Sequence, residues 1–184
     1  MIRLDAATVL LQWATGGLLF LWVTTRRRQV GIGYGWLLRS VFGVIAVGAV
    51  VAGQLTEPVL VRDLCAALVA VAAAVALAVS VARRKVGVAG ERERRERRSA
   101  RVAAMVSGGD RPHAEPDTTV SPPPGPEFPP TLDLVAPVIG AVGLVAAALD
   151  AGGPATLAVV RTLAGAAFLG AVTDAMLLGH WYLV

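Results

Sequence analysis

The sequence predicts an all-α protein, an integral membrane helical bundle of about five transmembrane helices with a disordered, Pro-rich cytoplasmic loop. Three observations carry this prediction. Of 184 residues, 55% are hydrophobic and only 5% aromatic, and the mean hydropathy is +0.65; soluble domains are roughly 45–50% apolar. The apolar residues are gathered in blocks close to the length of about 17 to 25 residues that crosses a bilayer as a helix. The basic residues sit between the blocks: fourteen of the seventeen Lys and Arg fall on one side of the alternating layout, the positive-inside pattern. The pI of 10.2 therefore reads as orientation and not as a groove for phosphates, and nucleic acid is not an expected partner. The single cysteine, Cys65, excludes an internal disulfide, a CxxC redox pair and an all-cysteine metal or iron–sulfur site.

The first span runs from Ala6 to Thr24, with Gln12 and Trp13 in its outer half and Trp22 near its inner end. Both tryptophans read as interfacial belt residues. Arg3 is balanced by Asp5, and the cluster Arg26, Arg27 and Arg28 follows the apolar block, so the span is expected to remain as an anchor with its N-terminus outside. The stretch 26–35, RRRQVGIGYG, turns the chain on the cytoplasmic side. Its glycines lack the βαβ context of a dinucleotide-binding turn and are read as a tight turn at the headgroups. Trp36 to Gly53 is the second span, with Arg39 expected to snorkel to the same interface. A short outer loop, 54–63, is broken by Pro58. In the third span, Leu64 to Ala82, Ala66, Ala70, Ala74, Ala78 and Ala82 recur at i+4, a spacing of small residues that predicts a helix-packing face.

The main cytoplasmic loop spans 83–133 and separates a three-helix part, 1–82, from a two-helix part, 134–184. Arg83, Arg84 and Lys85 open it, and between Arg83 and Arg101 nine Lys or Arg stand against three Glu, a balance of +6. Glu91 with Arg95 and Glu93 with Arg97 stand at i,i+4 and would support a short solvated helix, attracted to anionic lipid by about 1 kcal/mol per basic residue. The following stretch, 107–133, holds eight of the eleven prolines and almost no large apolar residue; it cannot bury a core and is expected to be disordered or polyproline II.

Leu134 to Leu149 is the fourth span, with Pro137 in its first turn, and 150–154, DAGGP, is a tight outer turn. The fifth span starts at Ala155 and runs to about Leu178. It carries the candidate intramembrane polar site: Asp174, with Thr173, Arg161 and His180. A charge inside a membrane is costly and needs a reason. Ala158, Thr162, Ala166 and Gly170 lead at i+4 intervals to Asp174, so Asp174 is expected to face a neighbouring helix, about 28 Å along from Ala155. Six residues rotate a helix by about 240°, so His180 lies on another face. It reads as part of an interfacial belt with Trp181 and Tyr182, or as a proton relay or cofactor ligand. Arg161 reads as snorkelling outward or approaching Asp150. The run ends at Val184 without a polar tail, which fits an end at the inner interface or further spans beyond it.

The closing TDAMLLGHWYLV, Thr173 to Val184, resembles a segment of uncharacterised multi-pass membrane proteins from high-GC bacteria. The resemblance implies a bacterial inner membrane and brings no activity or cofactor with it. A non-catalytic or transport-type component with an intramembrane polar site is the leading expectation, with the bilayer, its anionic lipids and other membrane subunits as partners. The alternative is a membrane redox or haem-associated subunit with His180 as ligand; one intramembrane histidine would need a second ligand from elsewhere. An adaptor acting through the basic and proline-rich loop is a further class. HExxH, GxSxG and paired intramembrane carboxylates do not occur, which weighs against a hydrolase, and no metal-binding constellation is present.

Overall fold

The structure, a computed structural model, describes residues 5–26, 31–106 and 128–183. Its helices are α1 (Ala6–Thr25), α2 (Ile32–Leu55), α3 (Leu60–Ala82), α4 (Arg84–Val106), α5 (Leu132–Asp150) and α6 (Ala155–Leu183), with no strand among the described residues. All except α4 are long and apolar enough to cross a membrane. The chain forms two compact units, one of residues 1–79 with 129–184 and one of 80–128. The Pro-rich stretch expected to be disordered lies, from 107 to 127, outside the described residues, as do Arg27 and Arg28 and the side chains of Lys85, Glu91, Glu93, Arg95, Trp181 and Tyr182.

In the first unit α1 is the hub. Ten of its 20 residues are buried, and it packs against α2, α5 and α6. α6, the chemically most conspicuous stretch of the sequence, is instead peripheral: its buried described residues form a single line, Ala158, Thr162, Ala166, Gly170 and Asp174. That line is the predicted stripe, and it faces α1. Gly16 and Gly170 make the contact possible, since a Cβ on Gly16 would collide with the Ala166 carbonyl and one on Gly170 with the Gly16 backbone. Small residues allow such backbone approach where lipid supplies no hydrophobic drive for association.

Helix ends explain why the observed elements are longer than the apolar blocks. Asp5 caps α1, its Oδ1 accepting from the Thr8 amide at 2.6 Å, a frequent use of aspartate at this position. Gly31 is the N-cap of α2, and Gly33 and Gly35 lie inside the helix, so the glycines expected to form a turn largely form helix instead. Gly35 leaves room for the Arg39 guanidinium: a Cβ there would stand 2.9 Å from its Nη1. The expected tight turn after α5 is present, with Gly152 and Gly153 at φ of 76° and 88°, a backbone region open mainly to glycine.

The alanine face predicted on α3 is only half correct. Ala66 is buried and Ala70 half-buried, but Ala74, Ala78 and Ala82 are exposed; the covered line runs instead through Arg62, Cys65, Val69, Ala73 and Ala76. Each i+4 step overshoots a full turn by about 40°, so a strict i+4 row walks off a straight contact, whereas mixed steps of three and four stay on it. In the second unit, α4 is a separate helix with an exposed i,i+4 ion pair, Arg92 Nε to Glu96 Oε1 at 3.0 Å, of the kind expected for a solvated basic segment.

Candidate functional site

Among its described residues the first unit buries charge at three places, and two of them are paired. Arg39, expected to snorkel, is buried and forms a bidentate pair with Asp133: Nε donates to Oδ1 at 2.8 Å and Nη2 to Oδ2 at 2.7 Å. The Thr25 hydroxyl stands 3.2 Å from Asp133 Oδ2 and shares its single proton between that oxygen and the Leu21 carbonyl at 2.8 Å. Asp133 stands in the first turn of α5, within reach of the α2 arginine at the same end of the bundle, so pairing replaces the interface as the partner of Arg39. At the opposite end Arg62, 1% exposed, lies inside α3 rather than in a loop. Its Nη1 donates to Asp5 Oδ2, its Nε to Asp63 Oδ1 at 2.8 Å and its Nη2 to the Glu57 carbonyl at 3.0 Å. Buried charges are retained where their hydrogen bonds are this complete.

The third place is Asp174, which is 2% exposed and has no hydrogen-bond partner for either carboxylate oxygen among the described residues. Its electrostatic neighbour is Tyr34 of α2, itself buried. Buried polar side chains are normally bonded, and an isolated buried carboxylate is among the costliest groups a fold can hold. One further orphan lies nearby in the chain's interior: the Thr15 hydroxyl of α1, buried and without a partner among the described residues, faces α5 at Gly140, where a Cβ would collide with it.

The other predicted site residues are distributed differently. Thr173 is half-buried, accepts from Trp13 Nε1 at 2.8 Å and donates to the Leu169 carbonyl at 2.8 Å. Trp13 thus ties α1 to α6. Gln12, next to it, is buried and donates from Nε2 to the Thr162 carbonyl at 2.8 Å. Arg161 and His180 are exposed. Arg161 precedes Asp174 by thirteen residues, about 20 Å along the helix, so these groups do not converge on the carboxylate. Among the basic residues expected at the headgroups, Arg26 stacks over Trp22 with 5.0 Å to the ring centroid, a cation–π arrangement suited to an interface, and Arg84 is exposed.

At the Arg62 end the helix termini enclose a cavity of about 750 Å³, lined among others by Asp5, Thr8, Glu57, Arg62, Asp150 and Thr162. Burial alone would raise the Asp5 carboxyl, but its bonds to Thr8 and the nearby Arg62 guanidinium outweigh this and hold it below its ordinary value. The cavity and its carboxylates went unread in the sequence because Asp5, Glu57 and Asp150 lie far apart along the chain, at the N-cap of α1, between α2 and α3 and at the end of α5. Only the packing of α1 among the other helices brings them together. No family model matches this chain, and comparison with curated proteins and with solved structures finds no similar one.

Proposed function

We propose that the chain is a transport-type membrane component whose working group is Asp174. The observation that carries this is the isolation of that carboxylate: two buried ion-pair clusters in the same bundle are bonded on both sides, and this one has no partner among the described residues. A fold has no structural use for such a group, while a group that must bind and release a cation needs to be free to do so; ionisable side chains inside membranes mark ion and substrate paths for this reason. The chain's asymmetry of basic residues supports an orientation in a plasma membrane with the N-terminus outside and with residues 24–36 and 83–133 in the cytoplasm. The basic segment containing α4 is then held against anionic lipid.

The test is flux in proteoliposomes under an imposed membrane potential, with a pH-sensitive dye and alkali-cation indicators inside. The expected result is a cation flux above that of empty vesicles, abolished in Asp174→Asn and partly kept in Asp174→Glu. Wild-type vesicles no leakier than empty ones, or Asp174→Asn vesicles as permeable as wild type, would overturn the reading.

A further inference from the structure

We infer that the cavity at the Asp5 and Asp150 end is the entrance by which protons reach Asp174, along the face of α1 that carries Thr8, Gln12 and Thr15. The inference rests on the reading of Asp174 as an exchangeable site and names its ligand and its access. The three α1 residues are spaced by four and three, so they lie within about 60° of one another on the helix, and all three are buried. Thr8 lines the cavity, and Thr162 lines it from α6. Gln12 binds the Thr162 carbonyl directly beneath. Thr15 lies one turn further in, with its hydroxyl unpartnered among the described residues. At the level of the next residue, Gly16 meets Gly170, and Asp174 follows one turn later, about 6 Å along α6. A line of buried polar groups therefore leads from the mouth toward the carboxylate and ends about 8 Å short of it along the axis, at the Gly16–Gly170 contact.

The chemistry of this line selects the proton over larger cations. A hard metal ion requires about six or more oxygen ligands, whereas Asp174 has two carboxylate oxygens and the Tyr34 hydroxyl in its electrostatic neighbourhood. The Gly16–Gly170 backbone contact also leaves no passage for a hydrated ion. A proton needs only hydrogen-bonding groups and a brief local parting of α1 from α6. Asp5, Glu57 and Asp150 at the mouth outnumber Arg62, and a cleft lined by one sign of charge concentrates the opposite one.

Blocking the cavity tests this without knowledge of any transported solute. In the full chain with Cys65→Ser and Thr162→Cys, the introduced thiol is capped with a cationic methanethiosulfonate, and the infrared carbonyl stretch of the protonated Asp174 carboxyl, assigned by its loss in Asp174→Asn, is followed after transfer to D2O. Capping is expected to slow deuteration of this band by about tenfold or more, because exchange must then wait for a larger opening of the bundle. Reductive removal of the cap is expected to restore the rate, so the same protein serves as its own folding control. Equal rates with and without the cap, or an introduced thiol that no reagent reaches, would overturn the route while leaving the role of Asp174 intact. Absence of any carbonyl band that Asp174→Asn removes would instead overturn the reading of Asp174 itself.

Discussion

Asp133 and Asp174 are both carboxylates sealed inside the same bundle, at 4% and 2% exposure, and their surroundings could hardly differ more. Asp133 accepts from Arg39 at both oxygens and from Thr25. Asp174 accepts from no described residue. The contrast separates two uses of a charge in an apolar interior. A paired charge fixes which helices meet and at what height. An unpaired one carries a burial cost that no described residue offsets.

The comparison is broken most severely at the paired site. Arg39→Ala leaves Asp133 buried and uncompensated, and is expected to cost about 3–5 kcal/mol, read as a large drop in the denaturant midpoint of the detergent-solubilised protein. Replacing both partners, Arg39→Met with Asp133→Leu, is expected to recover most of that loss, since apolar pairs of similar volume often match buried ion pairs. Asp174→Asn at the other site removes a charge with no partner to strand, so its stability should stay near wild type or rise. A loss at Asp174 as large as at Arg39 would mean that the carboxylate has a structural partner after all.

The seam that seals Asp174 gives a smaller effect. Gly170→Leu drives a side chain into the Gly16 backbone, and overpacking of this kind costs about 1–3 kcal/mol. Gly179→Leu is the control, because a Cβ there meets nothing within 4 Å. Equal midpoints for the two variants would show that α1 and α6 are not in backbone contact.

The spans and the stripe leading to Asp174 were legible because both are periodic signals within one helix. The α6 stripe stayed buried from Ala158 through to Asp174 while the α3 alanines did not. The α6 row meets α1 at Thr162, Ala166 and Gly170 and ends at Asp174 beside Tyr34 of α2, so a row that drifts around the helix still finds a neighbour at its end. The ion pairs were not legible for a different reason. Hydropathy trims charged residues from the ends of spans, which placed Asp63 and Asp133 outside helices that in fact contain them; pairing removes the cost that justified the trimming. The central position of α1 had a signal, the polar face of Thr8, Gln12 and Thr15 beside Gly16 and Gly17. A span with polar positions on one face and glycines beside them is better placed among helices than against lipid.

The smallest effect concerns a third kind of carboxylate, partly exposed and paired. Asp5 both caps α1 and binds Arg62, and its carboxyl titrates below the ordinary value of 3.8. A group lowered on folding contributes stability that is fully present above its unfolded value and is lost as the pH falls through the lowered, folded one. The denaturant midpoint of wild type should therefore be insensitive to this group at neutral pH and decline below about pH 4, with a shallower decline in Asp5→Asn. Asparagine remains a good cap, so Asp5→Asn removes the charge alone, whereas Asp5→Ala also loses the cap, worth about 1 kcal/mol. If the two variants are equally stable at neutral pH, the Thr8 bond contributes little and Arg62 is the partner that matters. If Asp5→Asn matches wild type across the whole range, Asp63 and the Glu57 carbonyl suffice for Arg62, and the cavity mouth keeps its shape without the first carboxylate of the chain.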